Sequence, residues 1–238
     1  MFFPITDNNP LKIISFQFVT ATIIALNVIV YMVMEYAYSE QSELAANYAY
    51  GVIPAVLFDQ RELPEHLARM PPALSLFTYQ FFHGDWLHLL GNMMFLWVFG
   101  DNVEDSLGHW RFLIFYLLAG AAAGAVFALT EASSTIPLIG ASGAMAGILG
   151  AYMVLHPRQQ VWVLLFMRVP VPLPALWAIL GWIGFQFFSL LTESGEGQIS
   201  VAWWAHIGGF AAGIPLLFLL APNSLRRARR LEAEDAET

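Results

Sequence analysis

Ser142 lies in Gly140-Ala141-Ser142-Gly143, at the start of an apolar run. A serine hydroxyl becomes a nucleophile only where a base takes its proton. The base on offer is His206, in Ala205-His206-Ile207-Gly208-Gly209. A third group is His83-Gly84-Asp85-Trp86-Leu87-His88, followed by Asn92. His88 and Asn92 stand at i and i+4, hence on one helix face, and both can donate hydrogen bonds to a developing negative charge. Each feature also has a structural reading. Serine caps helix N-termini, and a His–Asn pair can clamp two helices together. His83, His88 and His206 could in principle ligate a metal, but no fixed spacing such as HExxH supports that.

The elements that must position these groups are membrane helices. The chain has 238 residues, 58% hydrophobic and 12% charged, with mean hydropathy +0.61. A soluble domain is about half apolar and about a quarter charged. Absence of cysteine excludes disulfides, iron–sulfur clusters and cysteine nucleophiles. A net charge of −8 with scattered basic residues argues against a nucleic-acid partner. The N-terminus lacks a basic region followed by an apolar stretch and a small-residue cleavage site, so no cleaved signal peptide is expected.

Six apolar segments predict six spans, at about 16–36, 86–100, 112–130, 142–155, 175–191 and 201–221. The connector 37–85 is too polar to cross, and its apolar patches predict short amphipathic pieces in the interface. Residues 161–174 carry Pro170, Pro172 and Pro174, which cannot continue a helix interior. With both termini inside, the inner segments hold Lys12, Arg111, Arg158, Arg168, Arg226, Arg227, Arg229 and Arg230, and the outer ones only Arg61 and Arg69. That bias fixes the orientation. Spans two, four and six then all run inward, so His88, Ser142 and His206 start level in the outer half.

Span four has 14 residues, about 21 Å of helix at 1.5 Å per residue, shorter than the hydrocarbon slab. Ser142 therefore lies below the outer surface, where irregular backbone is tolerated only inside protein or beside water. A helix start also supplies unpaired backbone N–H groups, the donors an oxyanion needs. Gly143 with Gly147, and Gly209 with Gly213, form small-xxx-small pairs that let two helix backbones approach. If these faces pack, the imidazole reaches the hydroxyl. Elsewhere, Glu104, Asp105 and Arg111 read as an inner turn network, and Trp86, Trp97, Trp110, Trp203 and Trp204 as interfacial belts. His66, His109 and His156 read as solvated loop residues.

Three motifs in order, HGDWLHLLGNM at 83–93, GASGAMAG at 140–147 and AHIGGFAAG at 205–213, resemble the rhomboid family of intramembrane serine proteases. The resemblance covers about 16–221. It implies an all-α membrane protein, a six-transmembrane-helix bundle with a long first outer loop. The expected divisions are an N-terminal cytoplasmic lead at 1–15, the catalytic core at 16–221 and a charged cytoplasmic tail at 222–238. By similarity Ser142 is the nucleophile and His206 the general base. His88, Asn92 and the Ser142 N–H form the oxyanion hole, and His83, Gly140, Gly143 and Gly209 support the site.

No metal or cofactor is implied. The implied partners are transmembrane protein substrates and lipid, in a compact bacterial form in the inner membrane. No Asp or Glu stands near His206 in its span, so the pair is a dyad. Some members place a tyrosine four residues after the serine to stack on the histidine. Here that position is Ala146, and Trp203 or Trp204 is the expected substitute. A non-catalytic client-binding relative would be expected to lack Ser142 or His206. A proton-relaying transporter would be expected to carry acidic residues in mid-span, and spans two, four and six have none.

Overall fold

A computed structural model of the chain describes residues 2–165, 168–192 and 203–236. The outer loop TESGEGQ beyond Thr192 and the first two residues of the expected sixth span lie outside the described residues.

Strand β1 (Phe2–Asp7) precedes helix α1 (Phe18–Ala37). The connector then folds into α2 (Glu40–Tyr50), α3 (Pro54–Leu57) and α4 (Ser75–Thr78), the last flanked by 3₁₀ turns at Pro72–Leu74 and Tyr79–Phe81. Helices α5 (Trp86–Leu107), α6 (His109–Thr130) and α7 (Ser142–Leu155) follow. Strands β2 (Gln160–Leu165) and β3 (Val169–Pro174) lead to α8 (Ala175–Thr192), α9 (Trp203–Leu220) and α10 (Ser224–Ala236). Among the described residues α1, α6, α8 and α9 are long and apolar enough to cross a membrane. Helix α5 carries Asp101, Glu104 and Asp105 toward its end, and α7 has only 14 residues.

Helix α7 is the axis of the bundle. Residues 143–152 and Leu155 are all buried, enclosed by α5, α6, α8 and α9. Its small residues make this possible. A Cβ on Gly209 or Gly213 would overlap the carbonyl oxygens of Gly143 and Gly147, so α9 lies backbone to backbone on α7.

The all-α expectation needs a correction. The strands form one antiparallel sheet in the order β1-β2-β3, so residues 1–15 are not a mere lead. The prolines that stop a helix at 170, 172 and 174 lie at alternate positions of the edge strand β3, where an N–H would face away from the ladder. The sheet sits at the end of α7 opposite Ser142, with Tyr152 Oη donating to Asp7 Oδ2 at 2.5 Å. At that end Glu104 accepts from Val19 N, Thr20 N and Thr20 Oγ1 at 2.7–2.9 Å. Asp105 accepts from the N–H groups of Lys12, Ile13 and Ile14.

The acidic pair thus caps backbone, and among the described residues its hydrogen bonds go to the N-terminal segment, α1 and His109 rather than to the expected Arg111. Two solvated histidines are also corrected. His109 Nδ1 bonds Glu104 at 2.5 Å, and His156 is buried against the Tyr152 ring. Helix α10 gives the tail a structure, docked through Arg227 onto the Ser106 carbonyl.

Candidate active site

Ser142 is the first residue of α7, and Ala141 occupies the cap position with no side-chain cap hydrogen bond. The capping reading of Ser142 is therefore overturned. Its Oγ lies 2.8 Å from His206 Nε2. His206 stands on α9 one turn before Gly209, whose missing side chain brings α9 against α7. The small-residue faces thus deliver the imidazole to the hydroxyl.

The approach to Ser142 is held by buried residues of the connector. Gly140 N donates to Tyr79 O at 3.0 Å, and Val52 pairs with Leu138. Gly140 has φ +119°, a region that disfavours side chains, and a Cβ there would lie 2.6 Å from His88 Nε2 and 3.6 Å from Asn92 Nδ2. His88 and Asn92 of α5 therefore both abut the loop that enters Ser142. Asp85 caps α5 by accepting from His88 N at 2.8 Å, which starts the helix where His88 and Asn92 share that face. His83 is buried, with Nε2 3.0 Å from Asn92 Nδ2 and 3.5 Å from Ala141 N. It orients the Asn92 amide. Gly143 packs against Ala123 of α6 and the Tyr79 hydroxyl.

Two aromatic rings face the imidazole. Trp182 of α8 lies at 5.6 Å between centroids, tilted 44°, and Trp203 at 6.2 Å, edge-on. Trp203, one of the two expected substitutes, meets the ring by its edge rather than stacking on it, while Trp182 was not singled out by the sequence. Nor was Gln186 of α8, whose Oε1 lies 2.7 Å from His206 Nδ1. The available signal was an amide within the apolar stretch Ile183-Gly184-Phe185-Gln186-Phe187-Phe188, since polar groups there face protein rather than lipid. Both ring nitrogens of His206 thus have hydrogen-bond partners within the protein.

The fold and site define a multi-pass membrane helix bundle with a serine and a histidine from two helices in hydrogen-bond contact. A model of the rhomboid domain matches residues 71–223, and the chain belongs to the rhomboid family. It is 30% identical over 166 residues to the mitochondrial rhomboid protein 1 of Saccharomyces cerevisiae, covering 67% of this chain and 46% of the yeast protein. It is 30% identical over 154 residues to the mitochondrial RHOMBOID-like protein 12 of Arabidopsis thaliana, covering 58% and 43%. The rhomboid protease GlpG of an Enterobacter strain is 24% identical over 209 residues, covering 87% and 65%. The chain thus spans less than half the length of the yeast and plant relatives it matches.

Proposed function

We propose that this chain is an intramembrane serine endopeptidase that cleaves transmembrane proteins near the outer surface. The observation that carries the reading is the 2.8 Å contact of Ser142 Oγ with His206 Nε2, at the start of a short helix inside a membrane bundle. Family membership and the relative named a rhomboid protease support it. The proposed core spans 16–221 and crosses the membrane six times, with α5 and α7 as the added crossings. Residues 1–15 and 222–238 lie on the cytoplasmic side of a bacterial inner membrane.

In this reading His206 Nε2 takes the Ser142 proton as Oγ attacks the scissile carbonyl carbon. The carbonyl electrons move onto oxygen, and the Ser142 N–H, His88 and Asn92 donate to that oxyanion. As the first helical residue, Ser142 has no intrahelical acceptor for its N–H. The C–N bond then breaks, with the imidazolium returning its proton to the leaving amine. Water attacks the resulting ester with His206 again as base, releasing the carboxylic acid and restoring Ser142. The reaction needs no cofactor.

Ser142→Ala and His206→Ala should each abolish cleavage of a single-span substrate in liposomes while leaving the fold intact. A fluorophosphonate should label Ser142 in the wild type and not in His206→Ala. Wild-type cleavage by Ser142→Ala would sink the assignment. It would leave the second reading, a client-binding protein, which the presence of both Ser142 and His206 disfavours.

A further inference from the structure

Helix α8 turns one stripe inward: Ala175, Ala178, Ile179, Trp182, Ile183 and Gln186 are buried. Five are apolar or aromatic, and the sixth is an amide with 3% of its surface exposed. A buried amide is costly unless its donors and acceptor are satisfied. Gln186 Nε2 donates to Trp182 O at 3.3 Å, one turn earlier. That bond decides which way the amide points and leaves Oε1 facing His206 Nδ1 at 2.7 Å. A carbonyl oxygen only accepts, so the proton of the neutral imidazole belongs on Nδ1. Nε2 then presents its lone pair to Ser142 Oγ at 2.8 Å. A continuous line runs from Ser142 through His206 and Gln186 to the α8 backbone.

Resting on the protease reading, we infer that Gln186 is a positioning residue: its side-chain oxygen holds the His206 proton on Nδ1 and stabilises the imidazolium that forms when Ser142 is deprotonated. This is the work of the acid in a serine–histidine–aspartate triad. An amide suits the surroundings better than a carboxylate. A charged group in a low-dielectric interior carries a desolvation penalty, whereas a neutral amide offers the same acceptor without it. Its hydrogen bond strengthens as the imidazole becomes positive, so it favours the transition state over the ground state. Trp182 and Trp203 against the ring fix its plane, and the amide fixes its rotation within that plane.

The test uses the full chain in liposomes with a single-span substrate. Gln186→Leu keeps the approximate side-chain size and removes the acceptor. The expected result is a kcat about 10- to 100-fold below wild type, the range for a hydrogen bond to a charged group, with KM within about twofold. Gln186→Glu restores an acceptor and should recover most of the lost kcat. Its acid limb should move to higher pH, because a carboxylate favours the imidazolium. Among the described residues His88 on α5 is a titratable group whose charge acts on this imidazole; it is present in every variant, so a shift between variants reports position 186.

Gln186→Leu with kcat within twofold of wild type overturns the inference. A second measurement does not depend on proteolysis or on the Leu variant folding. In a Ser142→Ala chain with ¹⁵N-labelled histidine, the neutral His206 should carry its proton on Nδ1, and a proton on Nε2 overturns the inference. Wild-type cleavage by Ser142→Ala instead removes the protease reading and leaves the tautomer measurement to judge Gln186 by itself.

Discussion

A hydroxyl at the first residue of a helix can turn back to the helix's own N–H groups or outward to a neighbour. Ser142 turns outward, because Ala141 holds the cap position and α9 brings an imidazole to 2.8 Å. The neighbouring groups are placed as tightly. Gly140 sits at φ +119° against His88 and Asn92. Gly140→Ala should cost about 1–3 kcal/mol of backbone strain and push His88 away from the loop. A lowered melting temperature in detergent and a loss of kcat should appear together; an alanine variant as stable and active as wild type would contradict this. Asn92 is held by His83, which accepts from its amide at 3.0 Å. If its free N–H serves the oxyanion, Asn92→Ala should lower kcat by about 10²–10³-fold with little change in stability. Kinetics on the purified variant in liposomes decide it.

At the scale of elements, each end of α7 carries a different duty. Its far end is tied to β1 through the Tyr152–Asp7 hydrogen bond. Burial pushes the Asp7 carboxyl up to about 6 from its ordinary 3.8, with the bond from Tyr152 pulling the other way. The folded state therefore binds the Asp7 proton more tightly than the unfolded chain does. Between about pH 4 and pH 6 stability must fall as pH rises, and above that window the loss is complete. The shift corresponds to about 1–3 kcal/mol, allowing for the partial exposure of Asp7. Asp7→Asn should flatten this slope, matching wild type near pH 4 and exceeding it near pH 8 in thermal unfolding. At the same end Glu104 is a fully buried acceptor for α1. Glu104→Ala strands those donors, at about 1–3 kcal/mol for each that stays unsatisfied, read as a fall in melting temperature.

The same elements show what sequence could carry. The Gly-rich approach and apolar run predict a helix over 142–155, and α7 has those bounds, because glycine and hydropathy act locally. The sheet was not legible. Strand β1 pairs with a strand more than 150 residues away, and the β3 prolines read equally as helix breakers and as an edge strand. Gln186 was within reach of the rule that flagged His88 and Asn92. Its inward placement follows only once Ile179, Trp182 and Ile183 are read as one stripe.

At the scale of the whole molecule, the polar groups separate to two ends of an apolar body. Ser142, His206, His88 and Asn92 gather at one end of α7. The sheet, the Glu104–Asp105 caps and α10 gather at the other. Between them the outer surface is hydrophobic, with Ile29 58% and Phe185 43% exposed in the middle stretches of α1 and α8, as expected where lipid replaces water. Eight of the ten basic residues belong to segments at the end away from Ser142, and that end should face the cytoplasm. The absence of cysteine makes this testable without background labelling. Gln41→Cys lies exposed on α2, in the connector near the Ser142 end, and Ala233→Cys lies exposed on α10. In intact bacterial cells a membrane-impermeant maleimide should modify Gln41→Cys at once and Ala233→Cys only after permeabilisation. The reverse pattern would place the Ser142 end on the inner side, so substrates would have to be cut near the cytoplasmic surface.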